Sequence, residues 1–428
     1  MKRNAAVLSI VMALVVASMV AADEPERIGR VRFAVSCSPA VQQPFERAVA
    51  LLHSFWYLEA SKAFTQIAQA DPDCAMAYWG LAMTNWTQIW SPPPAAALKR
   101  GGEAVDRAKA AGTRTPRERD FVAAAEAFFK DADTVDHRTR ALAYGRAMEQ
   151  MAQRYPHDVE VLAFYALSLQ ATADPKDKTY ANQKRSAEIA EKIFAAEPDH
   201  PGAAHYMIHG YDYPPLAPQG LPAARRYAQF APSVPHALHM PSHIYVLLGM
   251  WPDAVKSNVA AAAAEKSRGN PDDHMHALDY LVYGYLQQAQ DAEAQKVVDE
   301  ARAIMAGLAA RQYDSGRPTA HFAMAAIEAR WAMERGRWAD AAAIDPRPNR
   351  FAHTESMIYF ARAIGAARSG DAARARGDVE RLAALKDTMK DAYWAEQIEI
   401  QRRAAAAWTA RAEGKADEGF ALMRSAVE

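Results

Sequence analysis

The chain has 428 residues, half of them apolar, and its 50 lysines and arginines are balanced by 51 aspartates and glutamates to a formal net charge of −1. That balance, with no long basic run, excludes the electrostatic footprint of a nucleic-acid-binding protein. About 400 residues is too long for one simple core, so several domains or one elongated array is expected.

The N-terminus reads as a secretory leader. Met1-Lys2-Arg3-Asn4 precedes an apolar run from Ala5 to Val20 and a small-residue site at Val20-Ala21-Ala22. Residues 1–22 are therefore expected to be a removed signal peptide, and the mature protein to be periplasmic or secreted. No later apolar run approaches the ~20 residues of a spanning helix, so no membrane span is expected after cleavage. Residues 23–40 form a short segment ahead of the first helix. The only two cysteines are Cys37 and Cys74. In an oxidising compartment an even pair reads as a disulfide, the alternative being two buried thiols.

From residue 41 onward, alanine-rich periodic segments alternate with short breaks at Pro, Gly or Asp, and strand-like alternation is nearly absent, so the class is all-α. Phe45 to Pro72 is the first clear unit, with Ala60, Phe64 and an Asp71-Pro72 stop, followed by Tyr78, Leu81 and Ala82. Small residues let paired helices approach and proline ends the second helix. Later units repeat the pattern. Gly249-Met250-Trp251-Pro252-Asp253-Ala254, Gly336-Arg337-Trp338-Ala339-Asp340-Ala341 and Gly370-Asp371 with Ala375 mark turns, Ala294 follows Asp291 in the same setting, and Pro156 and Pro198 mark stops.

These residues resemble the tetratricopeptide repeat. The resemblance covers residues 41–428 as about eight to ten units, some degenerate, and implies a right-handed α-solenoid of helix pairs that binds a protein or peptide in its concave groove. The His239-Met240-Pro241-Ser242-His243 stretch is similar to one in secreted bacterial repeat proteins and implies no function. Several segments leave the frame: Ser91-Pro92-Pro93-Pro94, residues 212–218, residues 268–271 and residues 313–318. Thr115-Pro116-Arg117-Glu118 has the form of a capping box. Cys37 and Cys74 each precede the first helix of a unit, which places them on one edge.

Eight of the thirteen histidines fall between His200 and His276. His205 with His209, and His239 with His243, stand at the i,i+4 spacing that shares a helix face. His205 to His239 and His209 to His243 both span 34 residues, so the second pair is expected beside the first on the neighbouring parallel helix. Carrying that phase along the chain predicts a groove lined by Trp79, Met83 and Trp86, then by the histidines, then by Asp279, Tyr283 and Arg330. Asp212 lies one turn beyond His209, His236 one turn ahead of His239, and His276 near Asp279.

Neutral imidazoles with a carboxylate suit Zn²⁺, Cu²⁺ or Fe/Mn ions. The metal reading has His205, His209, His239 and His243 sharing one divalent ion, with Asp279 or Asp212 as a further ligand or partner. Two other readings stand beside it: a polar ladder hydrogen-bonded to Asp212, Asp279 or Tyr283, and a site for a carboxylate or peptide. Pro241 either kinks the helix between His239 and His243 or starts it. Phe55, Trp56 and Tyr57, with Trp79, Trp86 and Trp90, read as core or as an apolar ligand patch. His53, His137, His157, His321 and His353 stand apart and read as surface or core residues. No H-E-x-x-H, C-x-x-C, G-x-S-x-G or P-loop is present. A binding protein is thus expected, the alternative being a hydrolase-like metal enzyme with Asp212 or Asp279 as base.

Overall fold

The computed structural model describes residues 26–87 and 91–428; the leader at 1–22 and Trp90 lie outside them. Among the described residues there are 21 α-helices and no strand. They fall into ten pairs: α1 (Gln42–His53) with α2 (Tyr57–Ala70), α3 (Ala75–Thr84) with α4 (Ala95–Ala111), α5 (Pro116–Phe129) with α6 (His137–Arg154), α7 (Val159–Ala171) with α8 (Ala181–Ala196), and α9 (Pro201–Tyr211) with α10 (Ala217–Phe230). The sixth pair sets two short helices, α11 (Pro235–His239) and α12 (Pro241–Leu247), against α13 (Trp251–Arg268). Then come α14 (Pro271–Gln287) with α15 (Asp291–Ala310), α16 (Thr319–Met333) with α17 (Trp338–Ala343), α18 (Ala352–Arg368) with α19 (Ala372–Thr388), and α20 (Ala392–Ala412) with α21 (Ala416–Val427). Each pair packs on the next, which makes the chain an all-α solenoid of helix pairs. No described helix is long and apolar enough to cross a membrane.

Local chemistry sets the turns. Gly249 and Gly370 adopt φ of +68° and +86°. Each lets the next residue's N–H reach back to the helix just ended, Met250 to the Tyr245 carbonyl at 2.8 Å and Asp371 to that of Ala366 at 2.9 Å. This αL closure satisfies carbonyls that would otherwise be orphaned, and a Cβ disfavours it. At α5 the Thr115 side chain accepts from the Glu118 N–H and Glu118 reaches back, a complete capping box.

The first half of the array bends back on itself. α1, from the first pair, touches α9, from the fifth, and one continuous core runs from Ile28 to Ala254. The N-terminal segment seals this turn. Arg27 N–H donates to Ser233 Oγ at 2.9 Å and Arg30 N–H to the Asp199 carbonyl at 2.9 Å. Phe33 is fully buried against Phe45, Trp79 and Phe121. Trp79, Met83 and Trp86 consequently do not line a groove, because they are only 1%, 3% and 0% exposed. Trp79 packs on Phe33, Phe121 and Phe164, and Trp86 stacks on Phe128, so these rings belong to the core. Beyond α13 the cores are small and separate, as expected where each unit touches only its neighbours.

Cys37 and Cys74 are bonded, with Cα atoms 4.9 Å apart, joining the segment before α1 to the N-cap of α3 across a separation of 37 residues. In the chain-entropy account a loop of that size is worth about 3–4 kcal/mol. The Cys37→Ser, Cys74→Ser double variant should lose stability of that order in denaturant unfolding. Two thiols that alkylate in the native, non-reduced protein would remove the bridge.

Candidate metal centre

Three segments bring the histidines together. On α9, His200 caps the helix by accepting the Ala203 N–H at 3.1 Å, Pro201 takes the first helical position, and His205 and His209 follow one turn apart. Next along the chain, Pro241 has no N–H to continue the ladder, so the helix breaks at Met240. His236 and His239 therefore lie on α11 and His243 on α12, and neither sequence expectation for Pro241 holds entirely. The third segment is α14, which contributes His276 and Tyr280.

The result is two sets of three imidazoles. Within His205, His209 and His236, and likewise within His239, His243 and His276, one ring nitrogen from each residue lies within 4.8 Å of the others. The sets adjoin, with ring centroids 6.2 Å apart both for His209 and His243 and for His236 and His239. His236 and His276 are thus members of the cluster rather than groove lining.

Anchors behind the rings set their tautomers. His205 Nδ1–H donates to the His53 carbonyl at 2.7 Å. His239 Nδ1–H donates to Asn258 Oδ1 at 2.7 Å, and the Asn258 amide is oriented by its own N–H donation to the Ala254 carbonyl. His243 Nδ1–H donates to Asp212 Oδ2 at 2.7 Å. Asp212 accordingly stands behind a histidine, the arrangement in which a carboxylate fixes a metal-bound imidazole and raises its basicity. In neutral rings these bonds leave Nε2 carrying the lone pair. His239 Nε2 and His243 Nε2 face each other at 3.1 Å, and His205 Nε2 faces His236 Nε2 at 3.1 Å. Ligand nitrogens about 2.05 Å from a tetrahedral Zn²⁺ would be about 3.3 Å apart.

Five of the rings are held neutral. Burial pushes the His205 imidazolium down to about 3 and His276 to about 4, and it drives His209, His236 and His239 well below the ordinary histidine value; in each, neighbouring histidines add to the effect. Only neutral imidazole binds a metal, so the pocket favours the ligand form.

Phe55 forms one wall of the first set, its ring 4.4 Å from His205, 5.8 Å from His209 and 5.9 Å from His236. It closes α1 at φ +54°, where glycine is the usual residue. A bulky side chain there costs on the order of 1–3 kcal/mol, and such strain clusters at functional sites.

Asp279 is not a partner of the histidines. Arg330, reaching over from α16, pairs with its carboxylate and also stacks 4.6 Å over Tyr283, which in turn packs on Trp251. Burial raises the Asp279 carboxyl, and the Arg330 guanidinium opposes that shift. Asp279, Tyr283 and Arg330 form a neighbouring structural cluster, and it is Tyr280 that faces the second set, 4.8 Å from His239, 5.4 Å from His243 and 5.3 Å from His276 between ring centroids.

A third polar cluster had no sequence signal. His53 Nε2 lies 2.8 Å and His200 Nε2 3.1 Å from the two oxygens of Glu160, and His53 Nδ1 lies 2.7 Å from Tyr206 Oη, all fully buried. Every ring nitrogen has a hydrogen-bond partner within the protein, and the triad anchors the site. Its members come from α1, α7 and α9, which no local spacing relates.

No family model and no curated protein matches the chain. Among solved structures it is similar to the Cut9–Hcn1 hetero-tetramer of the APC/C, at 11% identity and a TM-score of 0.35, over 91% of this chain and 76% of that one. It is also similar to yeast Tom70, at 11% identity and a TM-score of 0.31, over 84% and 87% of the two chains. The fold assignment rests on the helix pairing described above.

Proposed function

We propose that the protein is an exported helical-repeat binding protein of the tetratricopeptide type that holds a divalent transition metal in its histidine cluster. The observation that carries this is the pair His239 and His243. Both Nδ1–H groups are committed to acceptors and the two Nε2 atoms meet at 3.1 Å, so neutral rings would point two lone pairs at one place, an arrangement that a shared cation relieves. Donors that are all imidazole favour Zn²⁺ or Cu²⁺ over Mn²⁺, which prefers carboxylates. A protein or peptide partner belongs to the concave side of the later units, outside the sealed first turn.

A metal-dependent enzyme is the second reading. What favours it is that three protein donors leave a coordination position open, as catalytic sites do. Against it, Asp279 is tied to Arg330 and Asp212 to His243, so neither carboxylate first considered as base is free to act.

Calorimetry on chelator-stripped protein tests the metal reading. Zn²⁺ or Cu²⁺ should bind more tightly than micromolar and Mn²⁺ more weakly. Asp212→Asn should cost 10–100-fold in affinity, while His157→Ala and His321→Ala should cost nothing. If no ion binds below the micromolar range, the histidines are a polar ladder. Export is tested separately, by whether protein from its native host begins after residue 22.

A further inference from the structure

We infer that the cluster holds two metal ions, one in each three-histidine set, an inference that rests on the metal reading above. Six imidazoles exceed what one tetrahedral ion takes. Each set also has its own close Nε2 pair, His205 with His236 and His239 with His243. An ion between one pair leaves the other without a cation.

The anchoring is equally separate. The first set is held by the His53 carbonyl and walled by Phe55, both from the far end of the array. The second is held by Asn258 on α13 and by Asp212 after α9, and is walled by Tyr280. Duplicated close pairs with independent supports describe two binding sites, whereas a single site would converge all its supports on one point. Both sets present only imidazole nitrogen, so both take the same class of ion, Zn²⁺ or Cu²⁺. Few carboxylates stand nearby to offset the charge. Asp212 is bonded to His243, Asp273 near His276 is paired with Arg317, and Asp279 with Arg330. The second ion should therefore bind more weakly than the first.

Zn²⁺ is the probe, added to stripped full-length protein and counted by elemental analysis after exhaustive dialysis, with calorimetry for the stepwise affinities. Two equivalents are expected, the second at least tenfold weaker. His205→Ala with His236→Ala should leave one equivalent, and so should His243→Ala with His276→Ala. Where circular dichroism shows an alanine variant unfolded, the single, more conservative His209→Gln and His276→Gln replace it, each expected to remove one equivalent. One equivalent in the parent protein, or loss of all binding from altering either set alone, overturns the two-ion inference and leaves the metal reading standing. No bound zinc overturns both.

Discussion

Stripped of metal, the protein should lose its native structure between pH 6.5 and about pH 5, far above the usual acid limit of a helical protein. His205, His209, His236, His239 and His276 all have folded-state affinities for the proton depressed below the ordinary value, burial being the largest cause in each. The unfolded chain binds those protons near pH 6.5 and the folded one does not. The stability that depends on keeping the rings neutral is thus complete above pH 6.5 and falls as pH drops toward the folded values, at about 1.4 kcal/mol per pH unit for each ring. Five rings give a limiting slope of roughly 7 kcal/mol per unit, set against a total stability on the order of 5–15 kcal/mol. The groups bearing on these five rings are His243 with Asp212, Asp273 with Arg317, and Tyr280; of these Asp273 favours protonation of His276, while Arg317 opposes it at both His236 and His276. Saturating Zn²⁺ binds only the neutral, folded form, so at a thousandfold excess over its Kd it should add about 4 kcal/mol and move the transition to lower pH. Far-UV circular dichroism across pH, with and without zinc, reads both effects. A single transition near pH 3 that zinc does not move would show that the rings are not held neutral by the fold.

Much of this arrangement is legible in the sequence, and the failures have identifiable causes. The turn glycines and inter-repeat prolines mark the helix pairs because αL turns and helix stops are local chemistry. The 34-residue register correctly places α9 beside α11 and α12 for the same reason. It does not show that α1 meets α9, since that contact depends on curvature accumulated over three intervening units. Hence His53, read as a surface or core residue, and Phe55, read as core or as part of an apolar ligand patch, turn out to support the cluster. Met240 keeps helical φ and ψ between α11 and α12, so His239 and His243 stay one turn apart and join His276, while His236 joins the first set. Asp279 occupies the predicted face, but Arg330 from the next repeat satisfies it first. Trp79 and Met83 are likewise in phase, yet residues 28–33 fill the space that a groove would need.

Glu160→Ala should cost about 3–5 kcal/mol and also weaken metal binding at one of the two histidine sets. Glu160 is 1% exposed, and its carboxylate oxygens take one imidazole N–H each from His53 and His200. Burial alone would raise its pKa, but the two histidines outweigh that and hold it at about 2. Removing one partner from such a buried charged cluster typically costs 3–5 kcal/mol, because what stays behind is desolvated and unsatisfied. Glu160→Gln keeps the volume and one acceptor oxygen, so it should cost less than alanine. The effect on metal follows from the backbone. His53 is gripped by Glu160 and Tyr206 through its ring, and its carbonyl in turn orients His205. Loosening that grip should lower affinity at the set containing His205, His209 and His236 while leaving the set backed by Asn258 and Asp212 unchanged. Urea unfolding of the metal-free variants measures the first effect, and stepwise zinc calorimetry the second. A loss below about 1 kcal/mol, or an equal weakening of both zinc sites, would mean that the triad is a passive core feature and that His205 takes its orientation from elsewhere.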